Sequence, residues 1–291
     1  MNRRTFTQSL PALALAAYID PQTFTLKKGL KMGVQLYTVR DLISKDLSGT
    51  LQEIARIGYQ VVELAGYNNG TFYGQSPENF KTLLGDLNLE APSGHYTYGK
   101  QMPNPGTVLN GWEKAVEDAA KLGHKYMVCA YLFPEERKTL DDYKKAIEDF
   151  NKAGEVCKKA GIQFCYHNHD FEFMKLDDQL PFDLMIKDLD PELVKFELDL
   201  YWITKAGFDA VTYFGKDPGR YVLWHVKDMA KTAEKEFTEV GNGSIDFKKI
   251  FAAKKKSGMQ YFFVEQDVCK NNPPLKSIEI SLNNLKQMKI V

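Results

Sequence analysis

The chain has 291 residues, 44% hydrophobic and 26% charged, a composition ordinary for a water-soluble globular fold of one large or two small domains. Lys plus Arg and Asp plus Glu both total 38, giving a formal net charge of +0. That balance supplies no electrostatic reason to expect nucleic acid as a partner, since duplex binders carry a basic face.

Residues 1–17 stand apart from the rest. Arg3 and Arg4 precede an apolar core, Leu10 to Ala17, that ends in small residues suited to signal-peptidase cleavage. This core is shorter than the roughly 20 apolar residues of a membrane span, so stable membrane insertion is not expected. Arg3, Arg4 and Phe6 resemble the twin-arginine export signal, while Thr7 and Gln8 depart from its usual Leu and Lys. The expectation is an exported, periplasmic protein, or a cytoplasmic one if this segment is not a signal. The choice between Sec and twin-arginine export stays open. Cys129, Cys157, Cys165 and Cys269 form no CxxC and read as buried thiols.

Beyond the leader one alternation repeats. Short β-rich runs fall at 32–37, 60–65, 89–96, 125–131, 162–169, 194–201, 222–228 and 260–267. Helical patterns fill the gaps. In 48–58, Leu51, Ile54 and Ala55 share a face and Gly58 is the C-cap; 110–123 repeats this with Trp112, Ala115, Val116 and Ala119 before Gly123. Thr139, with Asp142 at the capping-box position, starts a helix that stops at Gly161. Ser244 is the expected cap of a last pattern that ends at Gly258. No Pro/Gly/Ser linker interrupts the series, which predicts one domain over residues 30–291. Eight strands alternating with helices predict a (β/α)8 TIM barrel. The competitor is an open doubly wound sheet, but no GxGxxG follows the first strand.

The chemistry of such a barrel gathers at the C-terminal ends of its strands. There the sequence places Gln35, Glu63, His95, His167 with His169, Asp199, His225 with Lys227, and Glu265. Barrel interiors are otherwise filled by branched apolar side chains, and an unpartnered buried charge is costly. Strands that converge with His, Asp, His and Glu are better explained by a cation.

From "MGVQLYTVRD" through "GYQVVELAG" to the last strand, the chain resembles the sugar phosphate isomerase/epimerase family. These are the xylose isomerase-like barrels, which also include endonuclease IV. The resemblance implies one divalent metal held by strands five to eight: Asp199 in "ELDLYW", His225 in "WHVKDM" and Glu265 in "FVEQD". The fifth strand departs from the family pattern. Where many relatives carry Glu, "CYHNHDFEF" has His167, followed by Asn168 and His169. His167 is then the fourth ligand, and His169 faces substrate one pleat further out. Two imidazoles and two carboxylates suit Mn2+, Zn2+, Co2+ or Fe2+ better than Ca2+.

The same resemblance implies a small-molecule sugar substrate whose carbonyl and hydroxyl chelate the metal, with an enediolate formed on loss of the neighbouring proton. Glu265 is the first candidate base, and His169 or Lys227 the proton donor from the other side. Gln35, Glu63, His95, Glu172 and Trp202 are candidate substrate contacts, Trp202 as a stacking surface for a sugar ring. For Glu63 and His95 structural hydrogen bonding is an equal alternative, and for Glu172 a solvated turn. His124 lies at the far end of a strand, without a catalytic role. The expected activity is isomerisation or epimerisation of a non-phosphorylated keto-sugar. The alternative is a lyase or dehydratase acting on a 3-keto-glycoside or an inosose, and a non-catalytic sugar-binding barrel is the second alternative. An abasic-site nuclease is disfavoured by five histidines and no net charge. Homo-oligomerisation is compatible with all of these.

Overall fold

A computed structural model describes residues 30–102 and 104–290; the export signal expected over 1–17 lies outside the described residues. Eight parallel strands close a barrel: β1 Gly33–Gln35, β2 Val61–Leu64, β3 Glu90–Tyr96, β4 Tyr126–Cys129, β5 Gln163–His167, β6 Val194–Asp199, β7 Tyr221–Val226 and β8 Tyr261–Val264. Each strand neighbours the next in sequence, and β1 pairs with β8 to close the ring. Every β-rich run of the sequence becomes a barrel strand. At the β1–β8 seam Gly33 is required, because a Cβ there would lie 2.3 Å from the Phe262 carbonyl oxygen.

The helices follow their sequence signals. Helix Leu47–Ile57 is capped by Asp46, whose side chain accepts from Gly49 N–H, and closed by Gly58 at φ 113°. Thr139 and Asp142 form the expected capping box of helix Leu140–Lys159. Two boundaries move. That helix ends at Lys159, just before the Gly161 stop, because Ala160 is already its C-cap. Asp246, not Ser244, caps helix Phe247–Ala252: its carboxylate accepts from Lys249 N–H, while the Ser244 hydroxyl donates to the Met229 carbonyl. Cys129, Cys157 and Cys165 are buried and all four cysteines are free thiols. No described helix is long and apolar enough to cross a membrane.

Inside the barrel, side chains stack in layers because alternate residues of a strand face the same way. The floor is apolar: Val61, Val128, Cys165, Leu223 and Phe263 form one cluster. Two residues further along four of those strands stand Glu63, His167, His225 and Glu265. A greasy plug thus supports a polar layer, and β6 adds Glu197 beside His167 and Asp199 beside His225.

Candidate metal centre and active site

Asp199 ends β6 and caps the short helix Leu200–Lys205 that follows it. Its Oδ1 accepts from the Tyr201 and Trp202 backbone N–H groups at 2.9 Å each, which fixes the carboxylate and leaves Oδ2 to His167 and Lys227. Asn168, just past β5, accepts from Asp199 N–H at 3.0 Å and ties the two strand ends together. Around Oδ2 gather His167 Nε2 at 3.6 Å and Lys227 Nζ at 3.0 Å. Glu265 Oε2 lies 2.6 Å from His225 Nδ1 and 2.6 Å from Lys227 Nζ. Ligating atoms of Asp199, His225 and Glu265 lie within 4.8 Å of one another, and those of His95, His167, Glu197 and His225 form a second such group.

This donor set fits a divalent cation. Asp199 Oδ2 is buried and accepts no hydrogen bond, its charge being met by the Lys227 ammonium at 3.0 Å. A buried carboxylate oxygen is costly unless cationic groups surround it, and a divalent ion would serve as Lys227 does. Asp199, His225 and Glu265 form the group that could hold it, while His167 falls in the other group and stands 3.6 Å from Asp199 Oδ2.

Below them lies a layer that the sequence reading did not assemble. Glu63 Oε2 is 2.6 Å from His225 Nε2, and Glu197 Oε2 is 2.9 Å from His167 Nδ1 and 2.7 Å from His95 Nε2. Gln35 donates to Glu63 at 2.8 Å, and Ser93 donates to its other oxygen. Gln35, Glu63 and Glu197 expose no surface, so Gln35 and Glu63 sit beneath the cleft rather than on its wall. Glu197 escaped notice, yet it precedes Asp199 by two residues, and period-two alternation turns it to the same interior.

Burial raises both carboxyls of this layer, but the outcome differs. The charges of His95 and His225 overcome burial and hold Glu63 well below the usual carboxylate range. Glu197, buried and facing the Glu63 charge, is pushed up to about 7. Burial opposes protonation of His95, yet Glu63 and Glu197 lift it to about 9. Burial and the neighbouring cations press His167 well below its ordinary value, whereas Glu197 and Glu265 overcome burial at His225 and raise it. Lys227 stays an ammonium because Asp199, Asp267 and Glu265 outweigh its burial. Asp267, the third partner at 2.7 Å, was also missed in sequence.

Above the carboxylates opens a cleft of about 510 Å³, lined among others by His95, Tyr131, Phe133, His169, Lys227 and Glu265. His169 stands on the β5 side. Phe171 stacks on it at 5.3 Å with rings 4° apart, the Tyr131 ring meets it at 4.9 Å, and Trp202 packs at 5.3 Å. Its Nδ1 has no hydrogen-bond partner, and burial holds the ring well below its ordinary pKa. Glu172 serves from behind: fully buried, it accepts from Tyr166 Oη and from His169 N–H at 2.7 Å, and burial raises it to about 7. Trp202 likewise supports His169 and carries the Lys205 ammonium 4.6 Å from its ring centre. Neither Glu172 nor Trp202 lines the cleft. His124 lies at the other end of the barrel, its Nδ1 donating to the Ala91 carbonyl at 2.7 Å.

Fold and site together define a TIM barrel with acids and imidazoles converging at its C-terminal mouth. Residues 51–288 match the family described as the xylose isomerase-like TIM barrel, and the chain belongs to that family. A sugar phosphate isomerase/epimerase from Parabacteroides distasonis ATCC 8503 is 30% identical, with a TM-score of 0.78 over 92% of this chain and 97% of its own. An inosose dehydratase from Lacticaseibacillus casei is 27% identical over 135 residues, 40% of this chain and only 45% of that protein's length. A second inosose dehydratase, from Lactiplantibacillus plantarum, is 24% identical over 84% of this chain and 90% of its own length.

Proposed function

We propose that the chain is a divalent-metal-dependent lyase that removes water, or another oxygen leaving group, from the carbon β to the carbonyl of a non-phosphorylated keto-sugar or cyclic polyol ketone. One observation supports this reading: the titratable groups that line the cleft are unlike one another. His169 lines the cleft with its ring held neutral by burial, whereas Glu265 and Lys227 are already paired at 2.6 Å. Two-base epimerisation needs matched acid and base on opposite faces of one carbon. Elimination needs a single base and a polarised leaving group.

His167, Asp199, His225 and Glu265 would hold the ion, which supplies Lewis-acid polarisation of the carbonyl. His169 takes the proton from the neighbouring carbon. The C–H electron pair becomes the new C=C bond, the β C–O bond breaks, and the imidazolium returns its proton to the departing oxygen, which leaves as water. Glu265, the base expected from sequence, is engaged by His225 Nδ1 and by Lys227. That engagement suits it to ligation and orientation. The names of the curated relatives, both inosose dehydratases, support the elimination. Among the described cleft residues Lys227 and Arg40 carry a permanent positive charge, and of the two only Arg40 has no carboxylate partner. Lys227 is taken by three carboxylates, and Arg40 donates to the Tyr37 and Asp267 carbonyl oxygens while stacking on Tyr37.

A second reading, isomerisation or epimerisation, is favoured by the name of the 30% identical neighbour. Metal-loaded protein incubated with keto-sugars and inososes in D2O separates the two by NMR. An unsaturated or deoxy product supports the lyase, and a deuterated epimer or isomer replaces it with the second reading. No metal-dependent exchange into any of them counts against both.

A further inference from the structure

His167 and His225 each use both ring nitrogens, and the two nitrogens of each ring face different layers. The outer pair, His167 Nε2 and His225 Nδ1, lies 3.6 Å from Asp199 Oδ2 and 2.6 Å from Glu265 Oε2 respectively. The inner pair, His167 Nδ1 and His225 Nε2, lies 2.9 Å from Glu197 Oε2 and 2.6 Å from Glu63 Oε2. His95 Nε2 reaches both inner carboxylates, at 2.7 Å to Glu197 and 3.3 Å to Glu63. The inner group therefore has the composition and spacing of a second cation site.

Lone-pair arithmetic decides between the two layers. A neutral imidazole has one N–H donor and one lone pair. If the outer nitrogens of His167 and His225 ligate an ion, their inner nitrogens carry protons and must donate. Each then faces a carboxylate oxygen, so every donor finds an acceptor. Filling both layers with metal would require both rings to lose their last N–H proton.

We propose that Glu63 and Glu197 are positioning residues for a single ion, holding His225 and His167 in the tautomers that present Nδ1 and Nε2 to it, with His95 bridging the two carboxylates. This rests on the metal-dependent reading above and extends it to residues that touch neither ion nor substrate. Glu63 is itself held by Gln35 and Ser93, so the support reaches a third rank of side chains.

Zinc competition titrations and cobalt absorption spectra test this without any substrate. The wild type is expected to take up one equivalent of Zn2+. Glu63→Gln and Glu197→Gln, which keep volume, are each expected to bind it about 10–100-fold more weakly and to change the Co2+ ligand-field bands. Ser93→Ala, a milder change, is expected to weaken binding a few-fold with the urea midpoint nearly unchanged. Two equivalents in the wild type, with one lost in Glu197→Gln, would overturn the proposal in favour of a second ion. One equivalent bound with unchanged affinity and spectrum in both Gln variants would overturn it as well, leaving the metal-dependent reading intact. A wild type that takes up no metal sinks both.

Discussion

Lys227 Nζ lies 2.6 Å from Glu265 Oε2, and the same ammonium reaches Asp199 and Asp267. A lysine therefore occupies the electrostatic position that an ion beside Asp199 and Glu265 would share. Both it and a divalent ion are attracted by those carboxylates, and they repel each other. Lys227→Met should leave three acids without their cation. Metal-free protein should lose about 3 kcal/mol of stability, the scale for breaking a buried pair, while Zn2+ affinity rises by ~10-fold or more through relief of the repulsion. Urea unfolding with and without chelator, beside a zinc titration, reads both effects. A variant with weaker zinc binding contradicts the arrangement.

His169 should behave differently from the ligands. His169→Gln removes the imidazole that lines the cleft but leaves His167, Asp199, His225 and Glu265 in place. The expected result is unchanged metal content and a fall in turnover of about 10²–10⁴-fold, the range for a general base. Activity within a few-fold of wild type would return the base role to Glu265.

Asp199 has separable duties on its two oxygens. In Asp199→Asn the side-chain carbonyl can still accept from Tyr201 and Trp202 N–H, since Asn caps helices as well as Asp. Oδ2, which faces the Lys227 ammonium at 3.0 Å, is replaced by an amide nitrogen with no lone pair to offer. Metal affinity should fall by more than the ~10–100-fold of a supporting residue, with far-ultraviolet circular dichroism unchanged. Retained zinc binding would remove Asp199 from the ligand set.

The barrel was legible in sequence because its signals are local. Eight β-rich runs recur with amphipathic helical patterns in four of the intervals, and a Thr139–Asp142 box or a Gly58 stop needs no tertiary context. Strand-end chemistry was legible for the same reason, since a polar residue closing an apolar run is visible without neighbours. What could not be read was depth. Glu63, His95 and Glu197 come from β2, β3 and β6, and only closure of the ring brings them within hydrogen-bond reach of His167 and His225. Glu172 resembled a loop residue because its burial depends on Tyr166 and on the turn after β5. Ser244 was a sound cap by type, but its hydroxyl is drawn to Met229 and yields the position to Asp246 two residues later.

His124 gives a prediction on stability that is independent of the active site. It is 5% exposed, one ring nitrogen is unpartnered, and burial lowers its pKa to about 4. The unfolded chain, with an ordinary value near 6.5, binds the proton first as pH falls. Folding stability is therefore complete above about pH 6.5 and is lost between there and pH 4, by roughly 3 kcal/mol in all. Carboxylates also titrate at the acid end, so the comparison must be with His124→Gln. The variant should be the less stable protein at pH 7, having disturbed the bond to Ala91. Urea midpoints of the two should then converge as pH falls toward 4.5, because only the wild type has a buried imidazole to charge. A gap that stays constant from pH 7 to 4.5 would show that His124 is charged as easily in the folded chain as in the unfolded one.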